Sequence, residues 1–360
     1  MPQLIVIIKG LSIHVGLYYL YHMKTVFPAT YSTLCPIALS SLISEKYELG
    51  TVQCKFLVRG VGDTYLVETS GVRYILRAYR SSHRNIPQIK EEVDLLLALK
   101  QAHVSVSYPI PAVSGETILK IDAAEGERYL VLFSYAPGQV VRSLNENQLR
   151  VLGHEMGRFH QVGSTITPGK ERWSFDLETT LFKPLEKLRP AFSEDPEGYA
   201  WLEQTARQVE EKLSQLNTAG FSKGCCHFDF LPKNFHFKDD AVTFFDFDFM
   251  GYGWQVNDIM TFWLHLILDV YHGRMTQKAA DEDYAIFLNA YREYRPITEQ
   301  ELAVVPYLSI GFWLFYMGFH TTHDQFYTFS QPSILKSYTG LLRHIVATYW
   351  EKEENLQDLM

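Results

Sequence analysis

The chain has 360 residues, 21% of them charged and 47% hydrophobic, with a formal net charge of -8. That length supports two lobes around a cleft with ample core, and the absence of a basic stripe argues against a nucleic-acid partner. The cysteines, Cys35, Cys54, Cys225 and Cys226, form neither a C-x-x-C pair nor a zinc spacing, which points to a reduced, cytoplasmic setting.

The first segment, "LIVIIKGLSIHVGLYYLYH" (Leu4–His22), is apolar but interrupted by Lys9, Ser12 and His14. It lacks a basic leader and a small-residue cleavage site. Residues 1–22 therefore read as an extension outside the fold, with an anchor or targeting segment and a packed element as the alternatives. Residues 23–136 and 137–360 are expected to form the two lobes, and no stable membrane association is expected.

Ser32–Tyr47 has one apolar face at helical spacing. The period then changes: Tyr65–Thr69 and Val72–Arg80 are β-rich runs joined by Ser70-Gly71, a hairpin signal. Before them, "RGVGDTY" offers two glycines whose amides could approach a phosphate chain, or simply a plain turn. In "IPQIKEEVDLLLALKQ", Ile89, Val93, Leu96 and Leu97 define a buried helical stripe with Glu92 at its edge. A carboxylate there wants a cation, and Arg77 is the expected partner; a rim position is the alternative. The strand "RYLVLFSYAPG" ends at Pro137-Gly138, where the lobes should meet. Helices are then expected over Asn145–Gly163, with His160 a packing or capping residue, and over Tyr199–Gly220.

Gly224–Met250, "GCCHFDFLPKNFHFKDDAVTFFDFDFM", sets His227, Asp229, Asn234, Asp246 and Asp248 among phenylalanines. Carboxylates in apolar surroundings need compensation. H-x-D-x-x-x-x-N, then a hairpin around Asp239-Asp240, then an aspartate after an apolar strand, suits phosphoryl transfer. One carboxylate receives the proton of an attacking hydroxyl, while an amide oxygen and a second carboxylate hold Mg²⁺ against a triphosphate.

Over Glu45–Met260 the chain resembles the aminoglycoside phosphotransferase/choline kinase-like family, carried by "YILRAYR", "LVLFSYAPG", "HFDFLPKN", "FFDFDFMGYG" and "QVNDIMTFW". The resemblance implies an α+β, two-lobed protein-kinase-like fold that uses ATP and Mg²⁺. It also implies Asp229 as catalytic base, Asn234 and Asp246 as metal ligands, and Arg77, paired with Glu92, on the phosphates. Phe133, Ser134 and Tyr135 would form the hinge that meets adenine. His227, Asp248 and Asp258 would support the site, Asp258 also capping the following helix. Arg77 stands where many such enzymes have lysine, and Phe228 where a small residue is frequent. The implied acceptor is a small-molecule hydroxyl (an amino alcohol, a homoserine-like amino acid, a sugar or an aminoglycoside), with a protein serine or threonine and a nucleotide-binding pseudokinase as alternatives. A metal-dependent hydrolase using the acid cluster would leave the hairpin lobe and hinge unexplained, and an inert interaction protein would leave Asp229 and Asp246 without a purpose. The aromatic segments after Asp258 read as core, or as a wall for a cationic amine.

Overall fold

The structure, a computed structural model, describes residues 27–167 and 169–350. Residues 1–22, read above as an extension, lie outside them. Helix α1 (Pro36–Tyr47) precedes strands β1 (Gln53–Arg59), β2 (Asp63–Glu68) and β3 (Arg73–Tyr79), helix α2 (Ile86–Gln101), and strands β4 (Leu119–Ala123) and β5 (Gly126–Ser134). The strands form one antiparallel sheet in the order β1-β2-β3-β5-β4.

Alternation along β5 serves both faces of the sheet. Leu130 and Leu132 join Leu39, Ile43 and Tyr47 of α1 in one core, whereas Val131 and Phe133 join Ile89, Val93 and Leu96 of α2 in the other. Helix α1 begins at Pro36 rather than at Ser32, because proline suits a first turn whose amides have no helical partner. Helix α2 begins with a reciprocal capping box between Asn85 and Gln88.

After Ser134 the chain becomes mainly helical. Helix α3 (Glu146–Gly163) leads to the short strand β6 (Trp173–Phe175), α4 (Lys183–Leu188) and α5 (Pro196–Ser214). Helix α5 stops six residues before Gly220, which closes a separate short turn instead. Then come β7 (Lys223–Cys226), the hairpin β8 (Phe235–Lys238) and β9 (Ala241–Phe244), and β10 (Gly251–Trp254). Helices α6 (Val256–Tyr271), α7 (Gln277–Arg292), α8 (Glu299–Ala303), α9 (Val305–His320) and α10 (Pro332–Ile345) complete the lobe. Helix α9 is apolar nearly all round and buried, as such a helix must be. No helix among the described residues is long and apolar enough to cross a membrane.

The connection between the sheet and α3 carries Gly138 at φ 89°, where a Cβ would run into the carbonyl of Phe237. Close backbone approach and a left-handed φ both require glycine here.

Candidate active site

A cleft of about 340 Å³ lies between sheet and helices. Leu57, Val58, Ile75, Leu96, Phe133 and Phe245 supply its apolar wall, and Arg77, Glu92, Lys233, Asn234 and Asp246 its polar end. The glycines of the β1–β2 turn do not line it; Leu57, Val58 and Thr64 beside that turn do.

At the hinge, the Ser134 amide donates to the Tyr108 carbonyl at 2.9 Å, and Phe133 pairs with Ile75 and bridges Pro109. Among the described residues, the Ala136 amide has no backbone partner, whereas the Tyr74–Ser134 pairing of β3 with β5 engages the Tyr135 amide. The Tyr135 ring lies under Arg73 at 4.1 Å, and the Ala136 carbonyl faces His236 Nδ1 at 3.0 Å.

Strand β7 delivers His227, Phe228 and Asp229 into a tight turn. His227 Nε2 faces the Phe245 carbonyl at 2.9 Å, so its Nδ1 accepts the Asp229 amide at 3.3 Å. Phe228 holds φ 62°, a costly conformation for a bulky residue. Asp258 compensates: it accepts the amides of His227 at 2.8 Å and Phe228 at 2.7 Å, and meets His160 Nε2 at 3.0 Å. With its oxygens turned to this loop, Asp258 does not cap α6, contrary to the expectation from sequence. His160, bonded also to the Tyr291 hydroxyl at 2.9 Å, is a member of this buried network rather than a helix cap.

Asp229 is buried. Its Oδ2 accepts from Asn234 Nδ2 at 2.8 Å and from Lys233 Nζ at 2.8 Å, whereas its Oδ1 has no partner. The Tyr316 phenol lies within hydrogen-bonding reach of Asp229; burial and that carboxylate raise its pKa well above the ordinary value. Burial works against the Lys233 ammonium, but Asp229 outweighs it and raises its pKa.

Asp246 occupies the left-handed region at φ 60°, with 44% of its side chain exposed, and its Oδ1 meets Arg77 at 2.5 Å. Burial opposes the Arg77 charge, but Asp246 and Asp248 hold its pKa well above the usual value. Asp248 is buried and accepts from Arg77 at 2.8 Å and from Arg84 Nε at 3.0 Å, with His83 Nε2 at 3.4 Å. Its carbonyl accepts from Arg84 at 2.5 Å and Arg172 at 2.6 Å. Burial raises the Asp248 pKa, yet these cations win and hold it well below the carboxylate range.

The expected Arg77–Glu92 pair is replaced by three others. Arg77 turns to Asp246 and Asp248, and Glu92 takes Arg172 at 2.5 Å. Sequence reasoning missed Arg84, Arg172 and Lys233. Arg172 stands 80 residues from Glu92 with no periodic link to it, but Lys233 lies inside the loop motif and its spacing from Asp229 was a usable signal.

Asn234 Nδ2 donates to the Asp229 carbonyl at 2.7 Å as well as to its carboxylate, which leaves Oδ1 unengaged. With the second oxygen of Asp246, it makes a pair of hard donors on the cleft wall that fits a divalent cation completed by phosphate and water.

This constellation agrees with what sequence comparison finds. Residues 54–298 match the phosphotransferase enzyme family. The chain belongs to that family. An uncharacterized protein of Deinococcus radiodurans is 34% identical over 294 residues, covering 81% of this chain and 84% of its own. The amicoumacin kinase of Bacillus subtilis is 27% identical over 288 residues, covering 78% and 83%. In structure, an amicoumacin kinase solved with AMP-PNP, Ca²⁺ and Ami superposes with a TM-score of 0.64 at 21% identity, over 86% of this chain and 94% of that one. The fold is the protein-kinase-like one, and the chain is a phosphotransferase.

Proposed function

We propose that this phosphotransferase moves the γ-phosphoryl group of ATP to a hydroxyl of a small molecule, with Asp229 as base and Asn234 and Asp246 as the ligands of Mg²⁺. The observation that carries this reading is Asp229 Oδ1, an unpartnered carboxylate oxygen on a buried residue. A buried acceptor atom left unsatisfied costs about 1–3 kcal/mol, and an incoming hydroxyl would satisfy it. Bound Mg²⁺ supplies charge neutralisation on the phosphate oxygens.

The chain's own groups do the rest. The Ala136 amide offers a backbone hydrogen bond to a purine edge, and the apolar wall takes its faces. Asp229 draws the acceptor's proton as its oxygen attacks. Asp258 holds the turn that aims Asp229, and Arg77, released from Asp246 when that carboxylate turns to a cation, is within reach of phosphate. Glu92, through Arg172, and Asp248 keep α2, β3 and the loop of Asp246 in one arrangement.

On the acceptor side, Trp313, Tyr316 and His320 share one face of α9, and Trp313 Nε1 and His320 Nδ1 are buried without partners among the described residues. These groups offer hydrogen bonds rather than negative charge, which favours a polar small-molecule acceptor over a polycation. ATP as co-substrate and four free cysteines support a cytoplasmic setting.

Calorimetric titration of ATP with and without Mg²⁺, followed by a screen of hydroxyl compounds for acceptor-dependent ADP release, tests the reading. Mg²⁺-dependent binding with release of ADP on addition of an acceptor is the expected result. A protein that binds no nucleotide would overturn it.

A further inference from the structure

Ser107, in the connection between α2 and β4, lines the cleft together with Phe133, Tyr135 and Ala136. It is buried, and its amide is fixed on the Phe244 carbonyl at 2.8 Å. Its hydroxyl donates to the Ser134 carbonyl at 2.6 Å. A serine hydroxyl has one hydrogen and two lone pairs, so with the hydrogen given to Ser134 what Oγ retains is acceptor capacity. Each polar group of Ser134 already has a partner: the amide donates to the Tyr108 carbonyl at 2.9 Å, Oγ accepts from the Tyr108 amide at 3.0 Å, and the carbonyl accepts from Ser107. The Ala136 carbonyl is engaged as well, by His236 Nδ1 at 3.0 Å. This part of the cleft wall therefore presents a backbone donor, the Ala136 amide, and a side-chain acceptor, Ser107 Oγ.

We propose that Ser107 selects the nucleobase, its Oγ accepting a hydrogen from the 6-amino group of a purine whose N1 takes the Ala136 amide. The inference rests on the ATP-kinase reading above and adds to it a specificity-determining side chain that lies outside the β5 edge. Adenine offers the complementary pair, an acceptor at N1 and a donor at the 6-amino group. A 6-oxopurine offers the reverse: its N1–H meets the Ala136 amide and its oxygen meets Oγ. To donate to that oxygen, the Ser107 hydroxyl would have to turn away from Ser134 and leave the carbonyl there without its hydrogen bond. A site whose polar groups are already committed in this way rejects the base that cannot pair with them. The ligand class is a 6-aminopurine nucleoside triphosphate, and the discrimination against 6-oxopurines resides in one hydroxyl.

The test measures dissociation constants with Mg²⁺ for ATP, ITP and purine riboside triphosphate, in wild type and Ser107→Ala, with thermal melts to verify folding. Purine riboside triphosphate keeps the N1 acceptor and lacks the 6-amino group, so it isolates the proposed contact. In wild type, ATP should bind about three- to tenfold tighter than purine riboside triphosphate, the worth of one neutral hydrogen bond, and ITP should bind weakest. Ser107→Ala should bring ATP and purine riboside triphosphate within about twofold of each other, chiefly by weakening ATP, and should narrow the gap between ATP and ITP. Equal binding of ATP and purine riboside triphosphate to wild type would overturn the inference and leave the kinase reading standing. An undiminished preference for ATP in Ser107→Ala would also overturn it, by assigning the amino group to another acceptor such as the Ser134 carbonyl. Equal weakening of all three nucleotides would do the same, by showing a merely structural role. A wild type that binds none of the three would instead sink the kinase reading itself.

Discussion

The amide of Phe228 donates to Asp258 Oδ1 at 2.7 Å, and through that bond a residue on helix α6 holds the turn that presents Asp229. Phe228 also stacks on Phe175, with ring centroids 3.7 Å apart and planes 9° from parallel. Packing and hydrogen bonding together maintain a backbone conformation that neither sequence neighbour would favour. Removing the carboxylate in Asp258→Ala leaves the amides of His227 and Phe228 without an acceptor, at about 1–3 kcal/mol each. A lower melting temperature and a loss of transfer rate beyond the change in ATP affinity are expected. Unaltered turnover in a folded Asp258→Ala protein would show that Asp258 does not position the loop.

The two carboxylates of the cleft should separate kinetically. Asp229→Asn removes the proton acceptor but no proposed metal ligand, so turnover should fall about 10²–10⁴-fold while Mg²⁺-dependent ATP binding persists. Asp246→Asn should weaken ATP binding in the presence of Mg²⁺ and leave binding without Mg²⁺ nearly unchanged. Calorimetry with both variants, with and without the ion, reads the difference directly.

Asp248 balances Arg77 and Arg84 at the junction of the lobes. Asp248→Ala leaves the buried Arg84 guanidinium without its carboxylate, with an expected destabilisation of about 3–5 kcal/mol. The pH dependence follows from the sign of its shift. A carboxylate depressed in the folded state contributes its full stability above the unfolded pKa of about 3.9 and loses it as pH falls through the lower folded value. The gap in melting temperature between wild type and Asp248→Ala should therefore be constant from neutral pH down to about 5 and shrink only below about 4.

Histidines work in a higher window. Burial lowers His83 to about 4 against the opposing pull of Asp248, and burial with Lys233 nearby lowers His320 to about 4. Both are neutral in the folded protein at pH 7, whereas an unfolded histidine takes a proton near 6.5. Their protonation favours unfolding, so stability is full above about 6.5 and falls as pH drops from there towards 4. A His83→Gln, His320→Gln double variant should show a shallower fall of melting temperature across that window. An unchanged slope would assign the acid sensitivity to other groups.

The strands that were readable, β2, β3 and β5, lie inside the sheet, where alternation has a core on both faces to answer to. Strands β1 and β4 escaped because they are the edges: β1 buries only Cys54, so its residues carry almost no periodic signal. The loop motif was readable because Asp229, Asn234 and Asp246 fall within 18 residues and the hairpin between them is local.

By itself the sequence marked the interior strands β2, β3 and β5, the long helices α2 and α3, and the loop that carries Asp229, Asn234 and Asp246. Each of these is written in short-range periodicity or in a contiguous motif. Only the tertiary structure decided which cation meets which carboxylate. Arg77 reaches Asp246 and Asp248 across 169 and 171 residues, and Arg172 takes Glu92 across 80. Ion pairing depends on distance and desolvation in three dimensions, and several arginines of equal charge were available to each acid. The packing of α2 against the loop at Arg172 chose among them, and no spacing along the chain records that choice.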